Sequence, residues 1–207
     1  MAQDKVTPEI TKALHQQGYF TRVTPAQRVR KKDPVTGKVY WTWLSEDEVG
    51  RPDMDILRGG YGVLAEFKNG KDSFAFSKLT AKQREEAVRY SVAPYCIPVF
   101  IILALGTDMP HVTKKPGAKP RKVWAVPYLK WLQIEFEITK HCQKSIPYRA
   151  DRGKLKKLGL DAVTLLKEYE WVWVDGGWCI PENHIFAKHF KERNHVHASL
   201  FEYSDAV

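Results

Sequence analysis

Between residues 51 and 70 apolar and polar positions alternate on both sides of a glycine pair, Gly59-Gly60. Successive side chains of a strand point to opposite faces, so such alternation reads as two half-buried strands joined by a turn. A two-residue turn favours residues that tolerate positive φ, which glycine does. With Gly59-Gly60 as that turn, Arg58 pairs with Tyr61, Asp55 with Leu64 and Asp53 with Glu66. One face then carries Met54, Ile56, Val63, Ala65 and Phe67, and the other carries Asp53, Asp55, Glu66 and Lys68. A loop of three or five residues would shift this register.

The same patterning predicts the neighbouring elements. Residues 7–18 read as a helix with Thr7 as N-cap, Pro8 and Glu9 in the first turn and Gly18 as its stop. "YFTRV" reads as a strand, 24–38 as a polar loop punctuated by Pro25, Pro34 and Gly37, and "KVYWTWL" as a second strand. After a polar, aromatic loop at 71–79, "LTAKQREEAVRYSV" has a helical pattern with Thr80 as N-cap. "CIPVFIILAL" is apolar on both faces and reads as a buried central strand. A Gly/Pro/Lys-rich loop at 106–122 precedes "KVWAVPYLKWLQI", a strand followed by a short helix. "LDAVTLLKEYE" reads as a helix, "EWVWVDGGWCIP" as a hairpin turning at Asp175-Gly176-Gly177, and "ENHIFAKHFKER" as a final helix. This order predicts an α/β (α+β) chain with a mixed sheet flanked by helices.

Composition narrows the classes. No apolar run approaches the ~20 residues of a membrane helix, and no apolar stretch follows the charges of the N-terminus. Cys96, Cys142 and Cys179 are odd in number and far apart, which argues against a disulfide framework and for a reducing, cytoplasmic setting. Lys plus Arg is 33 against 24 Asp plus Glu, a net charge of +9 that favours anionic partners, nucleic acid foremost. The basic residues cluster at 28–32, 114–122 and 152–157.

Charge changes the picture most at the hairpin. Opposed Cβ atoms in a sheet lie ~4.5–5.5 Å apart, where like charges destabilise. Asp53 facing Glu66 therefore calls for something positive between them. A divalent cation with a preference for carboxylate oxygen, such as Mg²⁺, meets that need, and Lys68 meets part of it. Spacing alone leaves a metal site and an ordinary solvated face both open. The seven histidines form no set with acids or cysteines and read as surface residues.

Pro52-Asp53 followed, after a hairpin, by Glu66-Phe67-Lys68 resembles the PD-(D/E)xK nuclease superfamily. The spacing resembles that of archaeal-type Holliday-junction resolvases and of VRR-NUC domains. "LTAKQREE" is similar to the helix where those families place a glutamine, here Gln83. Glu9 matches an acidic residue on their first helix, and "PVFIILAL" falls at their next core strand. The likeness covers about residues 5–105. The segment 24–50 is longer than in a minimal resolvase, and 106–207 matches no feature of the family.

The resemblance implies a restriction-endonuclease-like mixed sheet in residues 1–105, then a basic loop at 106–122. It leaves 123–207 as a C-terminal extension with a hairpin and helices, packed on the core or completing it. It implies that Asp53, Glu66 and the backbone carbonyl of Phe67 bind Mg²⁺ (or Mn²⁺), activating a water and polarising a phosphate oxygen. Lys68 would orient that water or neutralise charge on phosphorus, Gln83 would position the nucleophile or Lys68, and Glu9 would hold a metal-bound water. Helix-dipole and solvated-surface roles for Glu9 and Gln83 stay open, and Asp55 is a reserve ligand. The expected activity is phosphodiester hydrolysis of branched DNA, by a homodimer, leaving 5′-phosphate and 3′-hydroxyl ends.

Arg28, Arg30, Lys31, Lys32, Lys114, Lys115, Lys119, Arg121 and Lys122 are the candidate phosphate contacts. Trp41 and Trp43 suit either the core or base stacking. RecB-like exonuclease, restriction-type endonuclease, a non-catalytic nucleic-acid-binding module and an oligomeric scaffold are the competing readings.

Overall fold

The computed structural model describes residues 6–23, 28–43, 52–92, 94–108, 119–150 and 153–191. The chain runs α1 (Val6–Gln16), β1 (Phe20–Val23), β2 (Arg28–Lys32), β3 (Val39–Trp43), β4 (Met54–Arg58), β5 (Tyr61–Gly70) and β6 (Ser73–Ala75). It continues through α2 (Ala81–Ser91), β7 (Val99–Leu105), β8 (Lys122–Pro127), α3 (Tyr128–Thr139), β9 (Ser145–Pro147) and α4 (Gly153–Leu158). Then come α5 (Ala162–Leu165), β10 (Val172–Val174), β11 (Gly177–Cys179) and a helix, α6, over 185–191.

The alternating segment forms the hairpin β4–β5 in the register its glycine turn predicts, with Met54 opposite Ala65 and Arg58 opposite Tyr61. Gly59 and Gly60 hold φ of 57° and 82°, the left-handed pair that matches the twist of the flanking strands. The hairpin sits inside a five-stranded sheet of order β1-β4-β5-β7-β8. Among the described strands of this sheet β5–β7 is the one parallel pair, so the molecule is mixed α/β with a mostly antiparallel sheet.

Side-chain parity decides what each face meets. Met54, Ile56, Val63 and Ala65 pack with Ile10 and Leu14 of α1, Trp171, Trp178, and Phe186 and Phe190 of α6. Leu64, Ile101, Leu103 and Trp124 pack on the other side with Ala87 of α2 and with Trp131, Ile134 and Ile138 of α3. Helices on both faces bury every residue of β7, which is why that strand reads as a continuous apolar run. β8, which follows the basic loop, supplies the fifth strand. Its entry runs hard against Gly106: at that residue's φ of 107°, a Cβ would stand 2.7 Å from the Pro120 carbonyl oxygen.

Several elements depart from the sequence pattern. Residues 28–32 are a strand, not loop, because they pair with β3 across the turn 33–38. There Asp33 Oδ1 accepts the Val35 and Thr36 N–H groups at 2.8 and 3.0 Å, an Asx-type turn, and Gly37 takes a φ of 69°. The loop 71–79 contains β6 and a 3-10 turn over Phe76–Lys78, and β6 pairs with β9. Thr7 lies inside α1, where its carbonyl accepts the Thr11 hydroxyl, so it is not the cap. α3 is long, 12 residues, rather than short. The helix predicted over 160–170 is broken into α5 and a 3-10 turn at Lys167–Tyr169. α4 carries no buried residue and had no apolar periodicity to announce it.

α2 and α3 are locked by Arg84, whose two terminal nitrogens meet Glu135 at 2.8 and 2.9 Å while it also donates to the Phe76 and Leu79 carbonyls. Such a forked, part-buried pair leaves a stranded cation when one partner goes. Glu135→Ala is expected to lower the unfolding free energy by about 2 kcal/mol with an unchanged m-value in denaturant titration. A change within a few tenths would show that the pair acts like an exposed one.

Candidate metal and catalytic centre

The centre grows from one mismatch in strand length. β4 begins only at Met54, opposite Ala65, while β5 runs on past that pair to Gly70. The Leu64 N–H donates to the Pro98 carbonyl at 2.9 Å, on the β7 side, so alternate residues of β5 turn their backbone groups towards β7. Phe67 has the other parity, and β4 offers it no backbone partner. Its N–H instead donates to Asp53 Oδ2 at 2.8 Å. In an extended residue N–H and C=O leave on the same side, so the Phe67 carbonyl faces the space beside Asp53.

Asp53 lies one residue before β4, in a bend just beyond the Met54–Ala65 pair, and acts directly on Glu66. The two carboxyls are within hydrogen-bonding reach of each other. Glu66 is only 3% exposed. Its Oε1 accepts from Lys68 Nζ at 2.5 Å and from Gln83 Nε2. Burial first, and the charge of Asp53 second, push the Glu66 carboxyl up to about 7, against the opposing pull of Lys68. The pair is thus poised to share a proton or a cation at neutral pH.

Among the described residues no group of three or more His, Cys, Asp or Glu side chains is arranged around one point. The donors at hand are two carboxylates and a backbone carbonyl, all oxygen. This set suits Mg²⁺ or Mn²⁺, which keep several waters, and not a structural zinc.

The other expected residues divide. Gln83, in the first turn of α2, joins Glu66 and stands 3.5 Å from Lys68 through its Oε1. Asp55 shares the face but is held by Arg22 of β1 at 2.8 Å. Glu9 is paired with Arg121 at 3.6 Å, on the layer opposite α2, and is not among the groups that act on Glu66. Of the basic loop, Lys119 is paired with Asp72 at 2.8 Å, Arg121 with Glu9 and Lys122 with Glu170. Lys114 and Lys115 lie outside the described residues. Arg28, Arg30, Lys31 and Lys32 fall on β2, and Trp41 and Trp43 on β3. The side chains of Arg28, Arg30, Lys31, Trp41 and Trp43 lie outside the description.

His184 is buried, 3% exposed, rather than on the surface: its Nδ1 accepts the Phe186 N–H at 3.0 Å, and burial holds its pKa below the usual value. It borders a cleft of about 940 Å³ with Pro98, Phe100 and Pro127, at the start of β7. Sequence reasoning missed Arg22 as the partner of Asp55, since only the pairing of β1 with β4 brings them together. It also passed over Lys154, Lys156 and Lys157 of α4 as site residues. These are exposed and have no carboxylate within ion-pair distance among the described residues. Their signal was the "RGKLKK" run itself. No known family and no curated protein sequence matches the chain, so the reading of this centre rests on its own geometry.

Proposed function

We propose that this protein is a Mg²⁺-dependent DNA nuclease with a restriction-endonuclease-like core, cutting branched DNA in the manner of a Holliday-junction resolvase. The observation that carries the reading is the buried Glu66 carboxyl set against Asp53, with Lys68 and Gln83 both donating to it. A fold gains nothing from two acids in reach of each other unless a cation is to lie between them.

Asp53, Glu66 and the Phe67 carbonyl would hold the ion. Mg²⁺ bound there supplies Lewis-acid polarisation of a phosphodiester oxygen and acidifies water. Lys68, fixed by Glu66, presents an ammonium to the negative charge that develops on phosphorus. Gln83 keeps Glu66 oriented, and the buried surroundings of Glu66 strengthen each of these interactions. A four-way junction offers two symmetric cuts, so a homodimer goes with this substrate.

The test is a panel of labelled linear, flap, single-stranded and four-way DNAs incubated with Mg²⁺, with EDTA, and with the Glu66→Ala protein. Metal-dependent cutting strongest on branched DNA is expected. Cutting from ends alone would turn the reading to a RecB-like exonuclease, and sequence-dependent cutting of duplex to a restriction-type enzyme. Tight binding with no cutting of any substrate would leave a nucleic-acid-binding module.

The pairing pattern also redistributes the phosphate contacts. Lys119, Arg121 and Lys122 must each leave a carboxylate to meet phosphate, whereas the lysines of α4 need leave none. Replacing Lys154, Lys156 and Lys157 by Gln is expected to flatten the slope of log affinity against log salt by roughly 2–3, about 0.9 for each phosphate that is no longer neutralised. Fluorescence anisotropy at several salt concentrations reads this directly. An unchanged slope would take α4 out of the interface.

A further inference from the structure

The Gln83 side chain meets three residues, and one of them, Thr80, lies outside the carboxylate cluster. Its Nε2 donates to Glu66 Oε1, while its own Oε1 accepts the backbone N–H of Thr80 at 3.1 Å and, at the longer distances of 3.4 and 3.5 Å, the Thr80 hydroxyl and Lys68 Nζ. In return Thr80 Oγ1 accepts the Gln83 backbone N–H at 3.2 Å, completing a capping box at the head of α2. An amide has two unlike ends. Turned over, Gln83 would set its oxygen against the Glu66 carboxylate and its NH₂ against the Thr80 N–H and the Lys68 ammonium. Every one of these approaches would then be repulsive.

We propose that Thr80 is a positioning residue of the centre: its backbone N–H locks the Gln83 amide with the NH₂ towards Glu66. That lock pins Glu66 Oε1 between two donors and leaves Oε2 as the oxygen to share with the ion. A helix cap, whose ordinary work is to satisfy orphan N–H groups, here also sets the orientation of a ligand carboxylate. The role in turnover rests on the nuclease reading, but the lock itself does not.

The backbone allows a clean probe. Thr80 has φ −66° and ψ 159°, and Leu79 before it is extended at φ −89° and ψ 109°. Proline adopts that φ and favours an extended predecessor, so Thr80→Pro deletes the N–H without redirecting the chain. Thr80→Ala deletes only the hydroxyl, with its longer 3.4 Å approach to Gln83 Oε1, and keeps the 3.1 Å backbone contact, while Thr80→Ser keeps both groups.

Two readouts are needed. By ¹⁵N NMR hydrogen exchange, the Gln83 NH₂ is expected to exchange slowly in the wild-type, Thr80→Ser and Thr80→Ala proteins. In Thr80→Pro it should exchange at least tenfold faster. The Thr80 N–H should lose its own protection in Gln83→Ala, a measurement that stands even if the proline variant does not fold. By cleavage kinetics, Thr80→Pro is expected to lower kcat at least tenfold below Thr80→Ala at unchanged KM, and to cost nothing further in a Gln83→Ala background. Equal NH₂ exchange in Thr80→Pro and Thr80→Ala, or a Thr80 N–H unprotected in the wild type, would overturn the lock. A kcat loss undiminished in the Gln83→Ala background would overturn its role in turnover. If the exchange contrast holds while no DNA is ever cut, the nuclease reading fails and the lock remains.

Discussion

Glu66→Gln is expected to lower Mg²⁺-dependent cleavage by about 10³-fold or more while making the metal-free protein more stable at neutral pH. The two effects share one cause. Glu66 is buried against Asp53, and both burial and that neighbouring charge oppose its ionisation, lifting it from 4.5 to about 7. An amide of the same shape removes that penalty and still accepts from Gln83. On linkage the gain at pH 8 is on the order of 3 kcal/mol, since each pKa unit is worth about 1.4 kcal/mol. The same substitution removes a ligand that a bound cation would need, and a barrier increase of about 4 kcal/mol corresponds to that loss of rate. Single-turnover cleavage and calorimetric melting measure the two together. An active Glu66→Gln protein would dismiss Glu66 as a ligand. An inactive but markedly destabilised one would mark it as a structural group.

The second large effect is a dependence of stability on pH that Mg²⁺ reverses. The Glu66 pKa is raised in the folded state, so between about 4.5 and about 7 the folded protein keeps a proton that the unfolded chain has released. The stabilising contribution is therefore complete below about pH 4.5 and is lost as pH rises through about 7. Other groups titrate in this range, so the quantity to read is the difference between wild type and Glu66→Gln, which should widen across this window. A divalent cation binds the ionised pair and stabilises the fold by RT ln(1 + [L]/Kd), about 2.7 kcal/mol at a hundredfold excess over Kd. At about 2–4 °C per kcal/mol, millimolar Mg²⁺ should raise the melting temperature by several degrees at pH 8 and by almost nothing at pH 5. A Mg²⁺ effect equal at both pH values, or equal in Glu66→Gln, would place the ion elsewhere.

The hairpin was legible in the sequence because its information is local. Alternation sets the faces, Gly59-Gly60 sets the register down to the Met54–Ala65 pair, and the next residues outward are Asp53 and Glu66, which act on one another. The cap at Thr80 and its partner Gln83 are three residues apart and equally local. What could not be read depends on pairings between distant segments. Arg22 reaches Asp55 only because β1 joins the edge of β4, and β6 finds its partner in β9 some seventy residues later. Nothing in the composition of "KKPGAKPRK" tells that Lys119, Arg121 and Lys122 are each matched to an acid from another element. Glu9 suited the helix N-terminus and a metal site alike. The layer on which α1 packs, and the guanidinium of Arg121, decide where its charge is used.

The measurement that bears most directly on the central claim is anomalous diffraction from crystals soaked in millimolar Mn²⁺. The account predicts one strong peak between the carboxyl groups of Asp53 and Glu66, about 2.1–2.3 Å from one oxygen of each and near the Phe67 carbonyl, and no such peak in Glu66→Gln crystals. Mn²⁺ bound elsewhere, with no peak between these two carboxyls, would contradict it.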